Sequence, residues 1–241
     1  MVIANLKSWA LLVLMTIGVN SAFAHAFWLK TNPSGKKGQA HEVQVFYAEP
    51  AEKPELLDSK EMANVKNFSL WLLMPGKEKI KLQTTAATDH YKASFTPEQN
   101  GEYRIILQND AMEVLEFPSG SLRIEFYASA AVQVGAEKAV PETGRFKLNV
   151  SATATTAYKP VLITVEHQDI DLSKVTISIF NQAGWKLDTK VDTNGKAEFK
   201  ALDKGTYFIE AVYKDKSPGT LNNKEYKSVY CAATTILDIT K

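Results

Sequence analysis

The chain has 241 residues, with 28 basic and 27 acidic side chains, a formal net charge of +1 and a single cysteine. This near-balance of charge argues against nucleic acid or an anionic membrane surface as a partner, since both call for a basic surplus. Cys231 cannot form an intramolecular disulfide, so the fold must depend on apolar cores, and a small buried strand residue is favoured over a metal ligand at this position.

The first 24 residues have the pattern of a secretory signal peptide. Lys7 precedes an apolar run over 9–19 that is too short to span a bilayer, and Ala22-Phe23-Ala24 is a small-x-small cleavage site. Cleavage there would make His25 the first residue of a periplasmic protein. A cut two residues earlier is less favoured because of Asn20, and would leave histidine in third place. No later apolar run approaches membrane length, so the processed chain is not expected to insert into a membrane.

An N-terminal histidine carries a free α-amine and an imidazole on one residue. Together these two nitrogens can chelate a Cu²⁺ or Ni²⁺ ion. Metal sites usually have four or more ligands, so other side chains would have to complete the site. The alternative is that a histidine follows the cleavage site by chance.

Most of the remaining chain is predicted to form β-strands. Apolar and polar residues alternate with period two, and Pro-Gly, Asn-Gly and Lys-Gly turn signals separate the alternating segments. The clearest of these segments are 43–47, 68–72, 122–126, 146–150 and 175–179. Only 54–66 differs, and it indicates a short helix or an ordered loop. We therefore expect an all-β fold built from antiparallel, immunoglobulin-like or transthyretin-like sandwiches.

The first two strands are predicted to pair as a hairpin around Lys36. This register places His25 opposite Tyr47, with Glu49 just beyond it at the same end of the sheet. His41 falls at the opposite end, roughly 16–20 Å away at about 3.3 Å per residue. His25 and His41 are therefore not expected to share a metal ion.

Glu49 is the favoured partner of His25. It begins a loop with two further carboxylates, Glu52 and Glu55, each of which is expected to be solvated on its own. His90 lies just before a predicted strand whose alternate apolar residues face inward, so its imidazole points outward and is a further candidate. The predicted metal ligands are His25, Glu49 and His90.

A pattern of strand, turn and returning strand occurs twice. It reads A-x-F, five residues and then G-x-Y-x-I, in 93–105 and again in 197–209. Each glycine turns the chain, and each tyrosine can bond its hydroxyl to nearby backbone, as in the tyrosine corners of sandwiches. The repeat predicts two tandem sandwich domains, 25–152 and 153–241, after a signal peptide over 1–24.

Enzyme signatures are absent from the sequence. There is no H-E-x-x-H motif, no G-x-S-x-G motif and no phosphate-binding glycine loop. An oxidative copper enzyme built on His25 would need a second histidine on the same ion, with His90 and His167 as the plausible donors. We therefore rank catalysis below binding.

The opening His25-Ala26-Phe27-Trp28-Leu29, directly after a signal peptide, resembles the periplasmic NikM-like proteins, a family associated with nickel and cobalt uptake. The resemblance extends over most of the mature chain, although only this opening motif is specific. A second stretch, 192–199, resembles the transthyretin-like and carboxypeptidase-regulatory-like sandwiches, which are mostly structural or binding modules. The resemblance implies that His25 is a metal ligand.

One position departs from the family pattern. Many members place Gly-His-Pro near the end of the second strand, where this chain has Tyr47-Ala48-Glu49-Pro50. Glu49 in place of that histidine implies a harder and weaker site.

The sequence thus predicts an exported protein that binds Ni²⁺, Co²⁺ or Cu²⁺ through His25 and acts as an accessory for metal uptake, with a membrane metal transporter as partner. Two alternatives stay open. One is a metal-free periplasmic or surface interaction module. The other is a copper-dependent oxidase or monooxygenase.

Overall fold

The computed structural model describes residues 25–137, 139–141, 146–153 and 156–240, so the predicted signal peptide lies outside the described residues. Within these ranges the chain forms nineteen strands and very little helix, and the predicted all-β sandwich class is confirmed. None of the helices found there is long and apolar enough to cross a membrane.

The largest sheet has ten strands. Eight of them follow the order β14 (Lys186–Lys190), β13 (Val175–Asn181), β16 (Gly205–Asp215), β19 (Ser228–Ile239), β10 (Gly120–Val134), β8 (Gly101–Asn109), β4 (Ser69–Leu73) and β5 (Ile80–Leu82). The short strands β2 (Ser34–Gly35) and β9 (Leu115–Phe117) pair with β10 outside this path.

Three smaller sheets complete the architecture. A four-stranded antiparallel sheet has the order β1 (Ala26–Thr31), β3 (His41–Ala48), β7 (Tyr91–Phe95) and β6 (Thr85–Ala86). A three-stranded sheet is formed by β11 (Leu148–Thr153), β12 (Pro160–His167) and β15 (Lys196–Lys200). A separate hairpin consists of β17 (Gly219–Leu221) and β18 (Lys224–Tyr226).

The ten-stranded sheet is continuous across the two predicted domains. Its central pair, β10 and β19, is parallel and runs from Leu122 opposite Ser228 to Ser129 opposite Thr235. Strand β11, which ends at the predicted junction, pairs with β12 from the second half of the chain. The two-domain division stays a prediction, and the structure adds that the halves share one sheet.

Strand β1 is buried on both of its faces. Phe27 and Leu29 pack into the apolar core that β1 shares with β3, β4, β8 and β10. Ala26 and Trp28 point the other way, and Trp28 packs edge-on against Phe208 of β16 at 5.1 Å between ring centroids. This two-sided burial fixes the position of the residue that immediately precedes the strand.

The hairpin of β1 and β3 forms, but its predicted register is wrong by two positions. The structure pairs Phe27 with Tyr47, where the prediction had placed His25. The reason is the connection, in which β2 leaves the hairpin to pair with β10 and Gly38 turns the chain at a φ of 75°. Because the shift is even, side chains keep their predicted faces. His41 lies at the opposite end from His25, as predicted.

The repeated pattern corresponds to two tyrosine corners. The hydroxyl of Tyr103 donates to the carbonyl of Gln99 (3.0 Å) and accepts from its N–H (3.1 Å). Tyr207 makes the same pair of bonds with Asp203, at 3.0 and 3.2 Å. The predicted bonding of both hydroxyls to nearby backbone is confirmed.

The segment over 54–66 contains both structures considered for it, an ordered loop followed by the helix α1 (Lys60–Val65). The hydroxyl of Ser59 caps the helix by accepting from the N–H of Met62 at 3.1 Å. Met62 and Val65 are buried, and the side-chain amide of Asn109 donates to the Val65 carbonyl at 2.6 Å. The helix therefore anchors the loop that follows β3.

Candidate metal site at His25

His25 and Glu49 meet at one end of the four-stranded sheet. Since Ala26 pairs with Ala48 at the end of the ladder, the next residues along the two strands are His25 and Glu49. The Nδ1 atom of His25 lies 3.7 Å from Oε1 of Glu49. Their predicted proximity is confirmed, whereas metal binding by either residue stays a prediction.

The loop after β3 folds back and brings a second carboxylate to the imidazole. The N–H of Glu52 donates to the carbonyl of Glu49 (3.1 Å), and the N–H of Glu55 donates to that of Tyr47 (2.9 Å). Ala51 makes the turn with a φ of 64°, which is unusual for a residue with a side chain. Glu55 consequently reaches Nε2 of His25 at 3.0 Å.

Glu55 is the site residue that sequence reasoning missed. It was expected to be solvated, but its side chain is only 28% exposed and contacts His25. The loop holds three carboxylates within seven residues, and this density was the one available signal. The left-handed turn at Ala51 determines which carboxylate returns to the sheet. Glycine or asparagine would have indicated such a turn in the sequence, but alanine does not.

An aromatic wall borders the imidazole. The ring of Tyr47 lies 5.5 Å from that of His25 and packs against Phe27 at 5.0 Å. Burial raises the pKa of Tyr47 to about 12, and the negative charges of Glu55 and Glu61 act in the same direction. The phenol therefore stays neutral at physiological pH and adds no further charge to the site.

The contact with Glu55 shows which imidazole nitrogen donates a hydrogen bond. An ionised carboxylate only accepts hydrogen bonds, so in the 3.0 Å contact the N–H donor is Nε2 and the acceptor is Glu55. In the neutral imidazole Nδ1 then carries a lone pair, and this lone pair faces Glu49 across 3.7 Å. In this neutral form Nδ1 and the Glu49 carboxylate are both able to bind a metal ion.

This gap has the right size for a metal ion. Metal–nitrogen and metal–oxygen bonds of about 2.1 Å each can join atoms up to about 4.2 Å apart. Within the ranges that the structure describes, no three His, Cys, Asp or Glu side chains form a group that could hold a metal. A site here would therefore need a main-chain donor, which a free α-amine at His25 would supply.

The structure does not bring His90 to His25. Its Nδ1 lies 2.7 Å from Oδ1 of Asp89, and its ring lies 5.1 Å from that of Phe46. Successive strand residues point to opposite faces, so Phe46 and Tyr47 lie on opposite faces of the sheet. His90 is therefore not among the ligands proposed below.

The remaining histidines also lie elsewhere. His41 is buried, and its Nε2 lies within hydrogen-bond distance (2.9 Å) of Oγ1 of Thr31, at the far end of the β1–β3 pair. His167 is exposed at the end of β12. Cys231 is fully buried in β19, as predicted for a small strand residue.

Comparison with known proteins gives a fold resemblance only. The chain matches no protein-family model and no curated protein. It is similar to a two-domain fibronectin type III segment from chicken tenascin, with 11% identity and a TM-score of 0.27, over 87% of this chain and 97% of that one. It is also similar to Salmonella alpha-2-macroglobulin reacted with methylamine, with 9% identity and a TM-score of 0.31, over 90% of this chain and 15% of that one. Neither similarity bears on the residues described above.

Proposed function

We propose that this is an exported metal-binding protein whose ion is held at the N-terminus left by cleavage before His25. One observation carries the proposal. The imidazole of His25 has a carboxylate at each nitrogen, with Glu49 3.7 Å from Nδ1 and Glu55 3.0 Å from Nε2.

Each group then has a distinct task. The α-amine and Nδ1 of His25 chelate the ion, and Glu49 supplies an oxygen ligand from the facing strand. Glu55 accepts a hydrogen bond from Nε2–H, which fixes the tautomer and the orientation of the ring. A carboxylate on the distal nitrogen is the usual partner of a metal-bound histidine.

This donor set favours Cu²⁺ and Ni²⁺, followed by Co²⁺, because two of its three donors are nitrogens. The side chains of His25 and Glu49 are 32% and 44% exposed, so the remaining coordination positions face solvent. An open site of this kind suits an ion that is passed on, as an accessory for metal uptake would require. The copper oxidase alternative has less support because neither His90 nor His167 lies beside His25.

The test is calorimetric titration of protein that begins at His25 with Cu²⁺ and with Ni²⁺. We expect one ion per chain. An added Gly-Pro dipeptide before His25 moves the amine away from the imidazole, and its proline has no amide N–H that could deprotonate and bind the ion, so this extension should abolish the binding. Glu55→Gln should weaken it by about 10–100-fold, the usual effect of losing such a partner.

The matched control is Glu225→Gln, which removes one exposed carboxylate on the distant hairpin of β17 and β18. This variant should bind metal as tightly as the unchanged protein. Binding that is unaffected by the added dipeptide would overturn the proposed site.

A further inference from the structure

A second recess adjoins the His25 site on the opposite face of β1. It has a volume of about 210 Å³ and lies between the strand pair β1–β3 and the strand pair β16–β19. At about 30 Å³ per water molecule, this space corresponds to a small organic molecule rather than a single ion.

The floor of this recess is apolar. It is formed by Trp28, Phe46, Phe208 and Ile236. The indole N–H of Trp28 already donates to the carbonyl of Ala48 at 3.0 Å, so that side chain offers only ring surface. Such a floor suits an alkyl chain and gives a bare metal ion no ligands.

The rim of the recess, unlike its apolar floor, is charged and mostly acidic. Among the lining residues, the carboxylates of Glu49, Glu52 and Asp238 stand against one cation, Lys30. Oγ1 of Thr206 donates to Oδ1 of Asp238 at 2.7 Å and thereby fixes that carboxylate. The excess of negative charge favours a cation over an anion or a neutral molecule.

From the apolar floor and the acidic rim together, we infer that this recess binds an alkylammonium ion. The alkyl part lies over the rings of Phe46 and Phe208, and the ammonium group donates to the rim carboxylates. Aromatic faces add to the attraction for the cation. This inference does not depend on metal binding at His25, although Glu49 borders both sites.

The test is an NMR titration of the full chain with n-butylammonium, in the presence of a metal chelator so that the result is independent of the metal site. We expect saturable shifts of the Trp28 indole N–H and of the amides of Phe46 and Phe208. Neutral n-butanol and inorganic ammonium each lack one half of the ligand. Each of these two compounds should bind more weakly than n-butylammonium, by about tenfold or more.

Capped lysine, with both termini blocked, forms a second arm of the titration. Tighter binding than n-butylammonium would indicate a lysine side chain presented by a partner, and weaker binding would indicate a free amine. Either order supports an alkylammonium site.

The double variant Glu52→Gln/Asp238→Asn should weaken n-butylammonium binding by about tenfold, since it removes two rim charges and leaves Glu49 in place. Its matched control is Glu116→Gln/Glu225→Gln, which makes the same change of charge at two exposed positions away from the recess. The inference is overturned if n-butanol binds as tightly as n-butylammonium, if the rim variant binds as tightly as its control, or if no saturable shift occurs at the recess.

Discussion

The imidazole of His25 lies between two carboxylates that come from a single loop, and the two have different expected roles. Glu49 lies 3.7 Å from Nδ1, whereas Glu55 accepts a hydrogen bond from Nε2 at 3.0 Å. The sequence predicted the first neighbour, because Glu49 directly follows the paired strand. It did not predict the second, because a turn at Ala51 with a φ of 64° brings Glu55 back to the sheet.

Replacing Glu49 with histidine tests its assignment as a ligand. Imidazole is a better ligand than carboxylate for Ni²⁺. We expect Glu49→His to raise Ni²⁺ affinity by about tenfold, measured by competition with a chelator of known affinity. Unchanged affinity in a variant that folds normally would indicate that residue 49 does not face the ion.

The buried side chain of Glu210 predicts that the stability of the fold depends on pH. Burial raises its pKa to about 7 against the opposing charges of Lys186 and Lys214. The folded state therefore holds this proton more tightly than the unfolded state, in which the pKa is about 4.5. The protonated Glu210 side chain therefore makes its full contribution to the free energy of unfolding below pH 4.5, and this contribution is lost as the pH rises through 7.

Glu210→Gln should remove this dependence. We expect the variant to be more stable than the unchanged protein by about 1–3 kcal/mol at pH 8 and similar to it at pH 4.5, as measured by urea unfolding. Equal free energies of unfolding for the two proteins at pH 8 would contradict this, because they would show that ionisation of Glu210 does not destabilise the fold.

At the scale of elements, the sequence predicted local turns better than it predicted the register in which two strands pair. The two tyrosine corners were predictable because a glycine turn and a tyrosine two residues later determine them within one short segment. The register of β1 and β3 was not, because β2 leaves their connection to pair with β10. That departure depends on residues distant in sequence.

The tyrosine corners should contribute similarly to stability. Tyr103→Phe and Tyr207→Phe keep the ring but remove the hydroxyl that bonds to Gln99 or Asp203. We expect each to lower the free energy of unfolding by about 1 kcal/mol in chemical denaturation. Tyr158→Phe, at an exposed tyrosine, is the control and should have no effect. A loss in only one corner would show that the two turns are not equivalent.

At the scale of the whole molecule, the sequence repeat indicated two sandwiches but not the sheet that joins them. The parallel pair of β10 and β19 connects residues 122–129 with 228–235. Period-two alternation identifies each of these strands as half-buried or buried, but it carries no information on which distant strand is the neighbour. The shared sheet therefore became apparent only in the structure.

This continuity predicts that the first half does not fold alone. A fragment over 25–147 lacks β19, so Ile124, Phe126 and Ala128 of β10 would lie in an unpaired edge strand. We expect no cooperative thermal unfolding of this fragment by circular dichroism, whereas a fragment over 25–240 should unfold cooperatively. A cooperative transition in the shorter fragment would show that the halves are independent domains.

The central claim is that a metal ion is bound at an N-terminus formed by His25. Native mass spectrometry of the protein recovered from the exported fraction, with Cu²⁺ or Ni²⁺ added, reports the first residue and the bound metal together. The account predicts a chain that begins at His25 and carries one ion, and no ion on the same chain extended by Gly-Pro. A chain that begins elsewhere, or an ion retained by the extended chain, would contradict it.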